Sequence, residues 1–346
     1  MYNKKLFKME VDEYTLQEII EKGVFGEKFL GSKKGSTQKY AIKKFKKKSN
    51  YEEVIKKFIE EGISILKDID HPNIIKLYEK KDKENEFYVI EEYCNGGNLR
   101  IFLNEYLKEK KVPFSEEIVQ HLMRQIIDAV KYLHGKKIMH RDLKPEHILL
   151  NYSDEKSRES KDIMKATIKI IGFDIATHLK EWQLADDIAG TFKYMSPYIL
   201  NCSRDNSKEK NIGYDEREDI WSLGIMCHEL LTGKCPYKGK NMSDLINKLN
   251  KGDYYLPLTL SKEAVSFLSS MLQYNSEKRL TAAQLSEHNF LKKNVSEFKK
   301  IDVNELKDVE IISQPSIVIS IKDSKPIWDN FGNETKKWTN IKGIIK

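Results

Sequence analysis

The residues best suited to chemistry fall in three ordered blocks. Tyr40-Ala41-Ile42-Lys43 ends in a lysine among strand-forming residues, and taken alone such a lysine is ordinarily a surface cation. His140-Arg141-Asp142-Leu143-Lys144-Pro145 crowds an imidazole, a guanidinium, a carboxylate and an ammonium into one short run. These are the group types that move protons and bind anions. Asp219-Ile220-Trp221-Ser222-Leu223-Gly224, with Arg279 further on, sets a carboxylate at the head of an apolar run. Cys94, Cys202, Cys227 and Cys235 show neither paired metal spacing nor a disulfide framework. A reduced, cytoplasmic compartment is the simplest expectation from them.

Elements must position these blocks. Residues 14–45 alternate polar and apolar in short runs broken by glycines, as strands do, and 74–79 and 86–93 read as two more strands. Between them, Val54, Phe58, Ile65 and Leu66 recur at helical spacing over 51–69. Asn95-Gly96-Gly97 then breaks the chain. Beyond the break the pattern is helical. Ser115 is an N-cap candidate followed by Glu116 and Glu117 in the first turn. An apolar stripe then runs through Val119, Leu122, Met123, Ile126, Val130 and Leu133. The segment from Ile220 to Leu231 is apolar on most sides, which predicts a buried helix ending at Gly233, and helices follow around 261–273 and 281–287. Two polar stretches, 153–165 and 203–211, read as surface insertions. In the tail, Ile317, Ile319 and Ile321 alternate like a half-buried strand, and Trp328 and Phe331 are suited to docking on the body.

With 40% apolar and 33% charged residues, the balance is that of an ordinary soluble protein. No apolar run approaches the roughly 20 residues of a membrane span, and Met1 to Glu10 lacks the apolar stretch of a secretory signal. The net charge is +7, with a dense run at Lys43, Lys44, Lys46, Lys47 and Lys48. That run reads as a solvated loop after a strand, with an acidic docking partner as the other reading. No aromatic residues interleave the lysines as they do in a nucleic-acid surface. The expected partner is a protein, as partner or as substrate.

The three blocks together, with His71-Pro72-Asn73 and Gly190-Thr191 in their expected places, resemble a eukaryotic protein kinase over 14–291. Lys144 and Thr191 resemble the serine/threonine branch, and residues 253–290 resemble the ULK and calcium-dependent kinase groups. The resemblance implies an α+β, bilobal protein-kinase fold. Its small strand-rich N-lobe (14–93) would carry one main helix, with a larger helical C-lobe (94–291), a leading segment (1–13) and a tail (292–346). It also implies ATP as the cofactor. Gly23 and Gly26 would approach phosphate, Lys43 would hold it, and Ile20, Ala41 and Leu149 would sandwich adenine. The backbone of Glu92 and Cys94 would meet the adenine edge, while Asp142, with Lys144, would serve the substrate hydroxyl. Leu66, Leu77, His140 and Phe173 match four internal packing positions anchored by Asp219.

Departures from the family cluster at the chemistry. The metal-binding Asp-Phe-Gly reads Gly172-Phe173-Asp174, which moves the carboxylate by two residues, about 6–7 Å of extended chain. The second metal ligand, an asparagine, is His147, and magnesium prefers oxygen donors. No metal ligand is therefore expected, and magnesium or manganese is doubtful. The helix glutamate that pairs with the strand lysine falls at Gly62, where a glycine costs about 1 kcal/mol of helix stability relative to alanine. Glu91 replaces the usual apolar residue behind the pocket and is the candidate partner of Lys43, since a buried carboxylate needs one. Glu21 and Lys28 replace a loop glycine and the apolar roof over adenine. Ser196-Pro197-Tyr198 lacks the glutamate that would pair with Arg279, so that pair is expected to be lost. Asp186 or Asp187 is a candidate partner for Arg141.

These losses predict a pseudokinase, a kinase fold acting as a regulatory or scaffolding module. A divergent active serine/threonine kinase is the alternative, and a metal-independent nucleotide switch is a third reading.

Overall fold

The structure is a computed structural model that describes residues 9–22, 26–47, 53–179, 190–202, 214–257 and 259–299, together with the backbone of 309–313 and 316–320. Gly23, Asp186, Asp187, Ile321, Trp328, Phe331 and the insertion at 203–211 lie outside the described residues.

The first elements are strands β1 (Met9–Val11), β2 (Tyr14–Lys22), β3 (Glu27–Lys33) and β4 (Lys39–Lys46), helix α1 (Glu53–Asp68), and strands β5 (Leu77–Asp82) and β6 (Glu86–Glu92). Helices α2 (Leu99–Lys110) and α3 (Glu116–Gly135) follow, then the short strands β7 (Ile138–Met139) and β8 (Ile148–Asn151), helix α4 (Glu155–Glu159), and strands β9 (Thr167–Ile170) and β10 (Thr177–His178). The chain continues through α5 (Pro197–Cys202), α6 (Arg217–Thr232), α7 (Met242–Lys251), β11 (Asp253–Pro257), α8 (Lys262–Met271), α9 (Ala282–Ser286) and α10 (Asn289–Lys292). Strands β12 (Val309–Ser313) and β13 (Ser316–Ser320) lie in the tail. This is the α+β content of the protein-kinase fold, a strand-rich unit with one main helix and a helix-rich unit.

The first compact unit comprises the chain up to Gly97 together with Leu149–Asp174. A boundary at 93/94 gave that second stretch to the helical lobe. It joins the strand-rich unit because Gly96 and Gly97 bond the backbone of Leu150, Asn95 bonds that of Tyr152, and Ile75 bonds Ile170. Six antiparallel strands run in the order β1-β2-β3-β4-β6-β5. One face buries Leu16, Phe29, Tyr40, Ile42, Tyr88 and Ile90. Residues two apart share a face, and residues directly opposite across a ladder share it too. Ile42 pairs with Phe29 and Ile90, so the core face is set. Strand β4 continues through Lys46, so most of the lysine run is strand rather than loop, and Lys44 and Lys47 bridge Glu86 and Asp82. Strand β5 begins at Leu77, later than the apolar pattern implied, because Ile74 makes only an isolated bridge with Ile170. Helix α1 buries Ile65 and Leu66, as the periodicity implied, together with Ile59 and Ile63, while Phe58 is partly buried.

In the second unit, the side chain of Ser115 caps α3 by accepting from the N–H of Ile118 at 3.3 Å. Helix α6 is buried from Glu218 to Leu231 and ends at Gly233, whose φ of +69° suits a residue without a Cβ. Asp219, in its first turn, accepts from the backbone N–H groups of His140 (2.9 Å) and Arg141 (2.8 Å) and lies 3.0 Å from His134 Nε2. Those bonds hold Arg141 at a φ of +66°, a conformation costly for a residue with a side chain. Ile317 and Ile319 lie in β13, which pairs with β11, with Tyr254 opposite Ile319.

The expected loss of a buried partner for Arg279 is corrected here. Arg279 Nη1 donates to Glu218 Oε1 at 2.9 Å, and both side chains are buried. Glu218 precedes Asp219 on α6, so the acid missing at Tyr198 is supplied from a different element.

Candidate active site

Ladder registers alone assemble a polar face in the strand-rich unit. Lys43 lies opposite Lys28 on one side and Val89 on the other, while Ala41 lies opposite Glu91. Lys28, Ala41, Lys43 and Glu91 therefore share the face opposite to the Ile42 core. Lys43 Nζ lies 3.5 Å from Glu91 Oε1 and 3.3 Å from Asp174 Oδ1. Burial of Lys43 disfavours its charge, but Asp174 and then Glu91 outweigh it and hold the ammonium above its ordinary pKa. One cation thus faces two acids. Gly172 adopts a φ of +87° and Phe173–Ile175 form one short helical turn, which is the local geometry that brings Asp174 to Lys43.

The other nucleotide candidates are placed unevenly around this face. Ala41 and Cys94 are buried, and burial followed by the charge of Glu92 pushes the Cys94 thiol up to about 12. Leu149 is partly buried on β8. Gly26 packs so closely that a Cβ there would lie 2.1 Å from the carbonyl oxygen of Lys44. Ile20 stands apart from these, 41% exposed in a stretch of β2 where the register slips between Ile19 and Glu21. The Glu92 carboxylate is taken by Lys169 at 2.8 Å, and the Glu92 N–H donates to the carbonyl of Lys76. The buried Lys28 lies 3.6 Å from Glu21, so these two departures offset each other in charge.

The catalytic-loop residues converge in the helical unit. Thr191 Oγ1 donates to Asp142 Oδ1 at 2.6 Å, Lys144 Nζ donates to Asp142 Oδ2 at 2.6 Å, and Lys144 also donates to Thr191 Oγ1 at 2.7 Å. Burial of Asp142 opposes ionisation, but the Lys144 charge and the hydrogen bonds from Lys144 and Thr191 hold its pKa below the ordinary carboxylate value. Both carboxylate oxygens have fixed donors, so the carboxylate plane is set before any substrate arrives.

His147 is part of this cluster. Its Nδ1 lies 2.8 Å from the backbone carbonyl of Asp142, which can only accept, so Nδ1 carries the proton. Burial pushes the imidazole down to about 3 despite the pull of Asp142. A histidine neutral in the fold but protonated when unfolded costs stability as pH falls below about 6.5, at up to roughly 1.4 kcal/mol per pH unit. His147→Asn is therefore expected to flatten the decline in melting temperature between about pH 6.5 and pH 5. His228 and His288, whose pKa values burial also lowers, remain in both proteins, so the difference between the two pH profiles isolates His147. Parallel profiles would refute the assignment.

Sequence reading missed a second network. Arg100 donates to Glu146 and Glu229, at 2.8 Å each, and Tyr194 donates to Glu229 at 2.6 Å. Lys193 also bridges the buried Glu229. These residues lie on α2, the catalytic loop, the 192–194 turn and α6. Arg141 Nε donates to the carbonyl of Ile175 at 2.6 Å, a partner that no charge pattern announces.

Comparison with known proteins places these clusters in context. The protein kinase domain family matches residues 14–291. Calcium-dependent protein kinase 4 of Plasmodium berghei is 32% identical over 91% of this chain and 54% of its own length. The Plasmodium falciparum protein of the same name is 32% identical over 90% and 53%. Myosin light chain kinase A of Dictyostelium discoideum is 32% identical over 85% of this chain and 93% of its own length. The chain thus spans about half the length of the two calcium-dependent kinases and most of the third.

Proposed function

This chain belongs to the eukaryotic serine/threonine protein kinase family, and from that premise we propose that it binds ATP and transfers the terminal phosphoryl group to serine or threonine hydroxyls of proteins. One observation carries the reading: both Asp142 oxygens are held by Lys144 and Thr191. A carboxylate kept ionised and fixed in plane suits it to accept a hydroxyl proton. As the hydroxyl oxygen bonds to phosphorus, the bond from phosphorus to the ADP oxygen breaks and the proton passes to Asp142. Lys144 offsets the charge beside it, and Lys43 pairs with nucleotide phosphate.

The family implies magnesium beside the nucleotide. Gly172 offers no donor, and the imidazole of His147 suits softer metals and is already turned to the Asp142 carbonyl. The Asp174 carboxylate is a hard oxygen donor and remains partly exposed. Magnesium binds through one or two carboxylates plus phosphate oxygens and retained waters. The residues therefore fit one ion through Asp174 and not a second through His147. Such an ion would supply neutralisation of phosphate charge.

A second reading, a regulatory pseudokinase without phosphotransfer, is favoured by Gly172 and His147 at the two ligand positions. Incubating the chain with ATP, magnesium or manganese, and serine/threonine peptides tests the two. Phosphate appearing on peptide hydroxyls supports the first. ATP binding without any transfer selects the second.

A further inference from the structure

A position without a side chain on α1 fixes where the second acid of Lys43 lies. A Cβ at Gly62 would meet the Phe173 carbonyl oxygen at 2.0 Å, the Phe173 carbonyl carbon at 2.9 Å and the Asp174 Cα at 3.5 Å. All three are backbone atoms, so no rotamer change relieves the clash. Any side chain at position 62 must lift the 172–174 loop off the helix. From the other end, Gly172 supplies the positive φ that bends the chain, and the buried Phe173 ring holds the turn. Between these constraints the Asp174 carboxylate ends 3.3 Å from Lys43.

The two acids on Lys43 are not equivalent. Glu91 is a strand residue with a side chain 3% exposed, so it cannot leave its lysine without burying a lone charge. Asp174 is on the loop with a side chain 30% exposed. Its charge duplicates what Glu91 already supplies, and it is the one open to a cation arriving with phosphate.

We propose that Gly62 is a positioning residue, whose missing side chain docks the 172–174 loop on α1 and so presents Asp174 as the carboxylate that makes polyphosphate binding at Lys43 depend on a divalent cation. This rests on the ATP-binding reading and adds to it which acid meets the cation and why a helix glycine stands there.

The test is calorimetric titration of the full chain with ATP, once with magnesium and once with chelator, for the parent, Gly62→Ala, Asp174→Asn and the double variant. In the parent, magnesium is expected to tighten ATP binding by about tenfold or more. In each single variant that ratio falls to within about threefold of one, and the double variant loses nothing further. Alanine is the better helix former, so a lower melting temperature in Gly62→Ala would report the lost loop contact rather than a weaker helix. A merely structural glycine would change stability without moving the magnesium ratio. If Gly62→Ala fails to fold, the Asp174→Asn ratio decides. An unchanged ratio in Asp174→Asn, or in a folded Gly62→Ala, overturns the proposal. So does a parent that binds ATP equally well in chelator, an outcome that leaves the ATP-binding reading standing. A parent that binds no ATP in either condition overturns both.

Discussion

Asp142→Ala is expected to lower phosphotransfer by about 10²–10⁴-fold, the span that a positioned general base ordinarily contributes. The variant removes the acceptor that both Thr191 and Lys144 address, leaving those two groups with only each other. ATP affinity should be little changed, because Lys43, the phosphate-pairing cation, is held by Glu91 and Asp174. The measurement is phosphate incorporation into a peptide, with ATP binding and melting temperature recorded on the same preparations. A loss of rate with retained affinity and fold identifies Asp142 as the base. If Asp142→Ala transfers phosphate within about threefold of the parent rate, proton acceptance at Asp142 is wrong, since so small a ratio is under 1 kcal/mol of barrier.

Glu218→Ala should destabilise the protein by about 3–5 kcal/mol, the usual cost of leaving one member of a buried ion pair alone. Arg279 is fully buried, with its guanidinium 5.2 Å above the Trp221 ring. It also donates to the carbonyls of Gln273 (2.9 Å) and Arg217 (3.0 Å), which fixes the charge in place and prevents it from swinging out to water. Removing Glu218 therefore strands a cation that cannot relax. Glu218→Ala combined with Arg279→Met should cost less than the sum of the single variants, because the stranded charge is then gone. Urea unfolding of the four proteins measures this. A Glu218→Ala loss below about 1 kcal/mol would mean that solvent reaches Arg279 and the pair contributes no more than a surface bridge.

These two cases show what could be read from the chain and what could not. The Asp142 loop was legible because its members are contiguous and their types are specific. The approach of Glu91 to Lys43 was suggested by the family position it occupies behind the pocket, and the register that sets Ala41 opposite Glu91 puts the acid on the lysine's face. Glu218 was hidden, since nothing about a glutamate at a helix start announces a partner 61 residues away. The contact of Asp174 with Lys43 was hidden for a different reason. Its position depends jointly on the φ of Gly172 and on a helix site emptied at Gly62, and a sequence shows each substitution only as a loss. The Arg100–Glu146–Glu229 network draws on three separate segments, and each of its residues alone looks like a solvated surface charge. In the tail, the alternation at Ile317 and Ile319 was sufficient to indicate a strand, but not that β11 would receive it.

The strand-rich unit is discontinuous along the chain, taking residues up to Gly97 and then Leu149–Asp174. During synthesis, a nascent chain that has emerged only to Gly97 lacks β9, whose Ile170 bonds Ile75, and lacks Asp174, the second of the two acids that meet Lys43. Domains generally fold as units as the chain emerges, but the second stretch of this one, ending at residue 174, follows all of α2 and α3. For the same reason no single cut yields an intact strand-rich fragment. A gene dissected at residue 97 would express the six-stranded sheet without the segment whose Ile170 bonds Ile75 and whose Leu150 bonds Gly96 and Gly97.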